Sequence, residues 1–408
     1  MALDVMSLPK KPKKMNVGIV QNAIIAGGRL AVLVRIIKIL NQRGVVPDII
    51  TYRMPLSAQD LKRCYGMQVT YRLRPLNSFL ACLPQEANVV AFGLALRKIC
   101  RQYDYFIDSN NTSFLMPRQT PTLSYVHFPR KARVTSKLVS IHHPEGALKR
   151  WTNPHDALNK ALGIGYDLHA IAASNIIVAN SAFSRRRFRK CYPTYARPIP
   201  IIYPPVDTHN VTTTRSPLRE QSVCSVGRFC AAKDQLGQIR LARKLPQWHF
   251  HLIGFAQADS PYLNICRSYV AKHRLSNVTL HINVSERQKQ ALFNQAMCFI
   301  HTNINEPFGI TTVEAILRGC LPLVHDSGGQ KEIVPFSELR FNSWQDLYDR
   351  FKHLDAHAGN GFHLIDKLKT HCLQWFASNQ FDRRFNQALD EFEQRCVASR
   401  GRIKISRP

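Results

Sequence analysis

The same local pattern occurs in both halves of this chain: a short, wholly apolar run, then a glycine loop, then a helix with one apolar face. Val17-Gly18-Ile19-Val20 is followed by Gly27-Gly28 and by RLAVLVRIIKIL, where Arg29, Arg35 and Lys38 fall on the polar side. Val223-Cys224-Ser225-Val226 is followed by Gly227-Arg228 and a helical stretch through Leu245. Strands with no polar face are strands covered on both faces, as in parallel sheets flanked by helices. Further runs fit the scheme: Asp48–Tyr52, Tyr105–Ile107, Leu123–Val126, His249–Ile253, Val278–Leu280, Met297–His301 and Leu321–Val324. Ser285 and Gln288 form a capping box before a helix ending near Ala296. The expected fold class is α/β, with two doubly wound, Rossmann-like domains facing across a cleft.

A chain of 408 residues has length for two such domains, each with its own core. The segment Ile199–Ser222 is rich in Pro and Thr and reads as the linker. The expected division is 1–205, an N-terminal Rossmann-like domain; 206–370, a C-terminal Rossmann-like domain; and 371–408, a helical tail. No uncharged apolar run reaches 18 residues, so no membrane-spanning helix is expected, and MALDVMSLPKKPKK lacks the apolar core of a secretory leader. The 11 cysteines are scattered without a C-x-x-C pair, which fits free thiols in a reducing cytoplasm. Charge is uneven: residues 1–205 hold 30 Lys and Arg against 9 Asp and Glu, and the rest hold 26 against 18. Such a basic half implies an anionic partner, whether nucleic acid, a membrane surface or a phosphorylated ligand.

The stretch NEPFGITTVEAILRGCLPLVHDSGGQKEIV, residues 304–333, places Glu306 before a turn and Glu314 inside a short helix. That helix is expected to start near Gly309 and end at Gly319. Its first turn, Gly309-Ile310-Thr311-Thr312, offers free N–H groups and the positive end of a dipole to an anion. Two readings stay open on spacing alone. Either the acids hold a phosphorylated polyol, or they simply favour the start of a helix.

The pattern E-P-F-G-x-x-x-x-E, then a G-x-P strand and a Gly-Gly loop, resembles the donor site of retaining family 4 glycosyltransferases, which have the GT-B fold. Other matches follow in order: Gly27-Gly28; Asn180-Ser181; Ile202–Asp207; Gly227-Arg228 with Lys233; and Ser327-Gly328-Gly329 with Glu332. The resemblance implies that Gly27, Gly28 and Gly227 lie at the donor diphosphate, with Arg228 and Lys233 stabilising the leaving charge. It implies that Phe308, Gly309, Ile310 and Thr311 line the donor, Glu306 meets the sugar hydroxyls and Glu314 the ribose. His127, in SYVHFPR, would face the donor sugar. Retention would proceed at the sugar's front face, with the leaving phosphate taking the acceptor proton. There is no D-x-D, and no metal or other cofactor is expected. YVHFPR, the insert Lys131–Tyr166 and HDSGGQKEIV look most like cytosolic mannosyltransferases that extend lipid-linked oligosaccharides. That likeness implies GDP-mannose as donor and a glycan or lipid-phosphate acceptor.

Arg130, Lys131, Arg133 and Lys137 follow His127, and Arg185, Arg186, Arg187, Arg189 and Lys190 surround Phe188 on a helix. Each cation near an anionic bilayer contributes roughly 1 kcal/mol, so peripheral attachment at the cytosolic membrane face is expected. The competing reading is a nucleic-acid- or membrane-binding protein on a degenerate glycosyltransferase fold. Basic runs with aromatics interleaved only at Phe188 offer little base stacking, so no nucleic-acid partner is expected.

Overall fold

The computed structural model describes residues 15–21, 27–51, 59, 61, 67–76, 85–109, 116–129, 175–208, 219–257, 259–356 and 363–405. Arg130, Lys131, Arg133, Lys137 and the insert 131–166 lie outside these residues.

The first sheet comprises β1 (Val17–Val20), β2 (Asp48–Thr51), β3 (Arg72–Pro75), β4 (Tyr105–Asp108), β5 (Thr122–Val126) and β6 (Ile176–Ala179), ordered β3-β2-β1-β4-β5-β6. All its pairings are parallel. Helices α1 (Gly28–Gln42), α2 (Gln85–Ile99) and α3 (Ala182–Cys191) belong to this half. Every strand except β3 is buried along its length, as their apolar runs require. Exposed β3 closes the edge with charge: Arg72 Nε lies 2.5 Å from Asp48, whose other oxygen accepts from Tyr103 at 2.7 Å.

The second sheet comprises β7 (Glu220–Val226), β8 (His249–Gly254), β9 (Val278–Ile282), β10 (Ala296–His301), β11 (Leu321–His325) and β12 (Arg340–Phe341), ordered β12-β11-β10-β7-β8-β9. Counted from its own first strand, this is the order of the first sheet, so the two halves are topological copies. The helices are α4 (Gln235–Lys244), α5 (Pro261–Lys272), α6 (Glu286–Gln295), α7 (Ile310–Leu317), α8 (Gln330–Ile333) and α9 (Trp344–Ala356). The capping box at Ser285 and Gln288 forms in full. In each sheet the strand order reverses beside the first strand, between β1 and β4 and between β7 and β10. Ligands of such sheets sit at the carboxyl ends of the strands at that point.

The tail divides. Helix α10 (His363–Phe376) buries Leu364, Leu368 and Cys372 in the second core. The chain then crosses back, where Val206 bridges Ala377 and Ser378 N–H donates to the Val206 carbonyl at 3.0 Å. Helix α11 (Ser378–Ile405) returns to the first core, inserting Phe381, Phe385, Leu389 and Phe392 beside Val17, Ile19 and α1. Ion pairs from Arg35 to Asp382 at 2.5 Å and from Arg43 to Glu393 at 2.7 Å fix its register on α1.

Candidate functional site

The site is built from the loops that follow β7 and β10, the two strands at the reversal point. After β7, Gly227 leaves room for a neighbour: a Cβ there would lie 3.2 Å from Lys233 Cγ. The Lys233 stem therefore lies against the strand end. Its backbone is fixed by Thr302 Oγ–H, which donates to the Lys233 carbonyl at 2.9 Å. Asp234 next takes a left-handed conformation, φ 51°, and caps α4 by accepting from Gly237 N–H.

After β10, Glu306 meets Lys233, with Nζ to Oε2 at 2.6 Å. Asn303 also donates to Glu306, and His301 Nε2 stands 3.8 Å away. Burial pushes the Glu306 carboxyl up, but Lys233, His301 and these hydrogen bonds outweigh it and hold it at about 2. Burial, reinforced by Lys233, pushes His301 down to about 4, so it is neutral at pH 7. The loop thus presents an ionised carboxylate beside an ammonium group.

Helix α7 starts at Gly309, whose φ of 114° is open to glycine and strained for other residues. Its N-terminus meets that of α1: a Cβ on Gly28 would lie 2.8 Å from Ile310 Cδ1. Neither Gly27 nor Gly309 provides a side-chain cap, and the two helices meet at these N-terminal ends. A helix N-terminus carries the positive end of its dipole. Arg228 is exposed beside Gly227.

The expected residues therefore fall into several places. Gly227, Lys233 and Glu306 come together, as do Gly28 and Ile310. Phe308 is only 2 % exposed and its ring lies 5.6 Å from Tyr203 and 5.2 Å from Phe376, so it anchors the loop from within. Thr311 is half-buried, whereas Thr312 is fully buried, hydroxyl included. Glu314 is tied to Lys289 at 2.8 Å, and Lys289 also reaches Glu286 at 3.0 Å. Burial opposes the Lys289 charge, but the two carboxylates outweigh it and raise its pKa. His127 stands at the end of β5, nearly buried, with Nε2 3.4 Å from Ser109 Oγ.

On α3, Arg186, Arg189 and Lys190 are exposed and Arg185 and Arg187 are half-buried. Phe188, at 1 % exposure, is the apolar anchor beneath them. Lys289, Asn303 and His301 are site residues that motif spacing did not announce. Each reads locally as an ordinary helix-face or strand-end residue, and its role follows only from tertiary contact.

Residues 210–348 match the family model described as glycosyl transferases group 1. The GDP-Man:Man(3)GlcNAc(2)-PP-Dol alpha-1,2-mannosyltransferase of Xenopus laevis is 26% identical over 275 residues, covering 61% of this chain and 56% of that protein. The alpha-1,3/1,6-mannosyltransferase alg2 of Schizosaccharomyces pombe is 24% identical over 261 residues, covering 54% of this chain and 48% of that protein. The chain thus spans about half the length of these curated relatives. Among solved structures, Anabaena HepE in complex with UDP and glucose superposes with a TM-score of 0.68 at 14% identity, covering 92% of this chain and all of that one. Sucrose-phosphate synthase from Thermosynechococcus elongatus gives 0.67 at 13% identity, covering 93% of this chain and all of that one. Residues 210–348 are a glycosyl transferases group 1 domain, and the two domains of this chain form a GT-B fold.

Proposed function

We propose that this protein is a retaining mannosyltransferase that moves mannose from GDP-mannose to a lipid-linked glycan. The observation that carries the reading is the Lys233–Glu306 pair at the reversal point, beside two converging helix N-termini. A nucleotide diphosphate suits the helix ends, Arg228 and Lys233, which stabilise the charge that grows as the sugar departs. Glu306, ionised at working pH, accepts from sugar hydroxyls. The diol of the ribose is the ligand for Glu314, whose carboxylate Lys289 orients.

In the step itself, the bond from the sugar C1 to the diphosphate oxygen breaks and a bond from C1 to the acceptor oxygen forms on the same face. The acceptor proton passes to the departing phosphate oxygen. The positive charges already present at the site let this proceed without a metal. Mannosyltransferases similar to this chain are GDP-Man or GDP-mannose enzymes by name, which supports this nucleotide and sugar. Among the described residues no helix is long and apolar enough to cross a membrane. The exposed cations of α3 provide a peripheral contact with an anionic bilayer, where a lipid-linked acceptor resides.

The test is a thermal-shift panel of GDP, UDP and ADP and their sugars, followed by transfer from labelled GDP-mannose to a polyprenyl-diphosphate glycan. A ligand at 100 times its Kd stabilises by about 2.7 kcal/mol. Stabilisation by GDP compounds and labelling of the lipid support the reading. Stabilisation by UDP or ADP compounds alone overturns the donor assignment.

A further inference from the structure

Glu332 lies in α8 of the second domain, yet its side chain serves the first. Oε2 accepts from the Ala182 N–H at 2.8 Å and Oε1 from the Phe183 N–H at 2.7 Å. These are first-turn N–H groups of α3, so a carboxylate of one domain caps a helix of the other. Tyr203 O–H, in the crossover segment, donates to Oε2 at 3.0 Å. The cap of α3 within its own domain is Ser181, whose Oγ accepts from Ser184 N–H at 2.9 Å. The same Ser181 hydroxyl donates across the cleft to the Pro307 carbonyl at 2.6 Å.

Both ends of this arrangement reach the candidate site. Ser184 Oγ–H donates to the His127 carbonyl at 3.1 Å. On the other side, Gly329 N–H donates to the Glu306 carbonyl at 2.7 Å, three residues before Glu332. Gly328 and Gly329 lie so close to the Glu306 and Pro307 backbone that a Cβ on either would come within 2.4 Å of a carbonyl oxygen. The first turn of α3 is therefore held between the backbone of His127 and the backbone of Glu306-Pro307.

We propose that Glu332, with Ser181 and Tyr203, is a positioning joint that sets the His127 face of the cleft against the Glu306 loop. Glu332 does not touch the reacting atoms in this account; it acts through the first turn of α3. The joint's role in transfer rests on the glycosyltransferase reading above, but its existence does not. The carboxylate is suited to the task because it takes three donors at once, two of them backbone groups that cannot rotate away. An amide at this position retains one acceptor oxygen and loses the charge.

The test compares wild type with Glu332→Ala and Glu332→Gln by hydrogen-exchange mass spectrometry, nucleotide titration and transfer kinetics. Loss of a charged acceptor should speed exchange of the α3 first-turn amides by about tenfold or more in Glu332→Ala, and by less in Glu332→Gln. Exchange in β7, β10 and β11 should stay as in wild type. GDP affinity should remain within about threefold, while kcat falls at least tenfold. Unchanged exchange at α3 overturns the joint. So does faster exchange spread equally through β7, β10 and β11, which marks a purely structural residue. Faster α3 exchange with kcat unchanged overturns the positioning role. A wild type that transfers no sugar refutes the function proposed above, and the positioning role with it, while the exchange data still decide whether the joint exists.

Discussion

Replacing Lys233 by Met keeps most of its aliphatic stem over Gly227 and removes the charge that faces Glu306. The Lys233 and Glu306 side chains are only 23% and 19% exposed, so water does little to replace the lost partner. In the wild type the Glu306 carboxyl is held at about 2, against an ordinary value of 4.5. That displacement corresponds to about 3 kcal/mol of preference for the ionised, folded form. Burial opposes it, so removing the largest attractive partner leaves a carboxylate that the site disfavours. The expected cost at pH 7 is about 3 kcal/mol, or roughly 6 to 12 °C in the melting temperature of the second domain. The assay is a double-mutant cycle by calorimetry with Lys233→Met, Glu306→Gln and the pair. In the Glu306→Gln background, Lys233→Met should cost under about 1 kcal/mol, since no buried charge is stranded. Equal costs in both backgrounds would refute the electrostatic account of this pair.

Two further predictions follow from buried or exposed charge. His301 and His251 are both held down at about 4, with burial the largest cause for each. The unfolded chain binds their protons from about pH 6.5 downward and the folded chain only near pH 4, so stability should fall as pH drops through that window. Chemical denaturation at pH 7 and pH 5 checks this, and His301→Gln should flatten the slope; a slope unchanged by that substitution would contradict it. Reversing Arg186, Arg189 and Lys190 to Glu should lower partitioning onto anionic vesicles more than about a hundredfold at low salt, since each cation contributes roughly 1 kcal/mol. Nucleotide affinity should be unaffected, and vesicle binding by the wild type that ignores salt would count against the contact.

The regular parts of both domains were legible because their signals are local. The apolar runs at Val17, Tyr105, Val223 and Leu321 became buried strands, and the Ser285–Gln288 capping box formed where its spacing placed it. Strand β3 gave no such signal, because an edge strand of sequence RLRP carries charge where an inner strand carries apolar side chains. The tail was legible as helical, but helical sequence does not say which sheet receives it. Only the structure shows Phe381, Phe385 and Phe392 returning to the first core. The glutamates were legible through the turn and helix around them. Lys233 was marked out by its own motif, but its pairing with Glu306, 73 residues away, was not, nor was that of Lys289 with Glu314, 25 residues away. The Phe188 anchor likewise stands among arginines in sequence and beneath them in space.

In the proposed function, the Lys233–Glu306 site binds and uses a GDP sugar. This reading is tested most directly by titrating GDP-mannose into wild type and Glu306→Gln and then measuring single-turnover transfer to a lipid-linked acceptor. Both proteins should respond to the GDP moiety, and only the wild type should transfer mannose at an appreciable rate. Transfer by Glu306→Gln at near wild-type rate, or no binding of GDP-mannose by either protein, would contradict it.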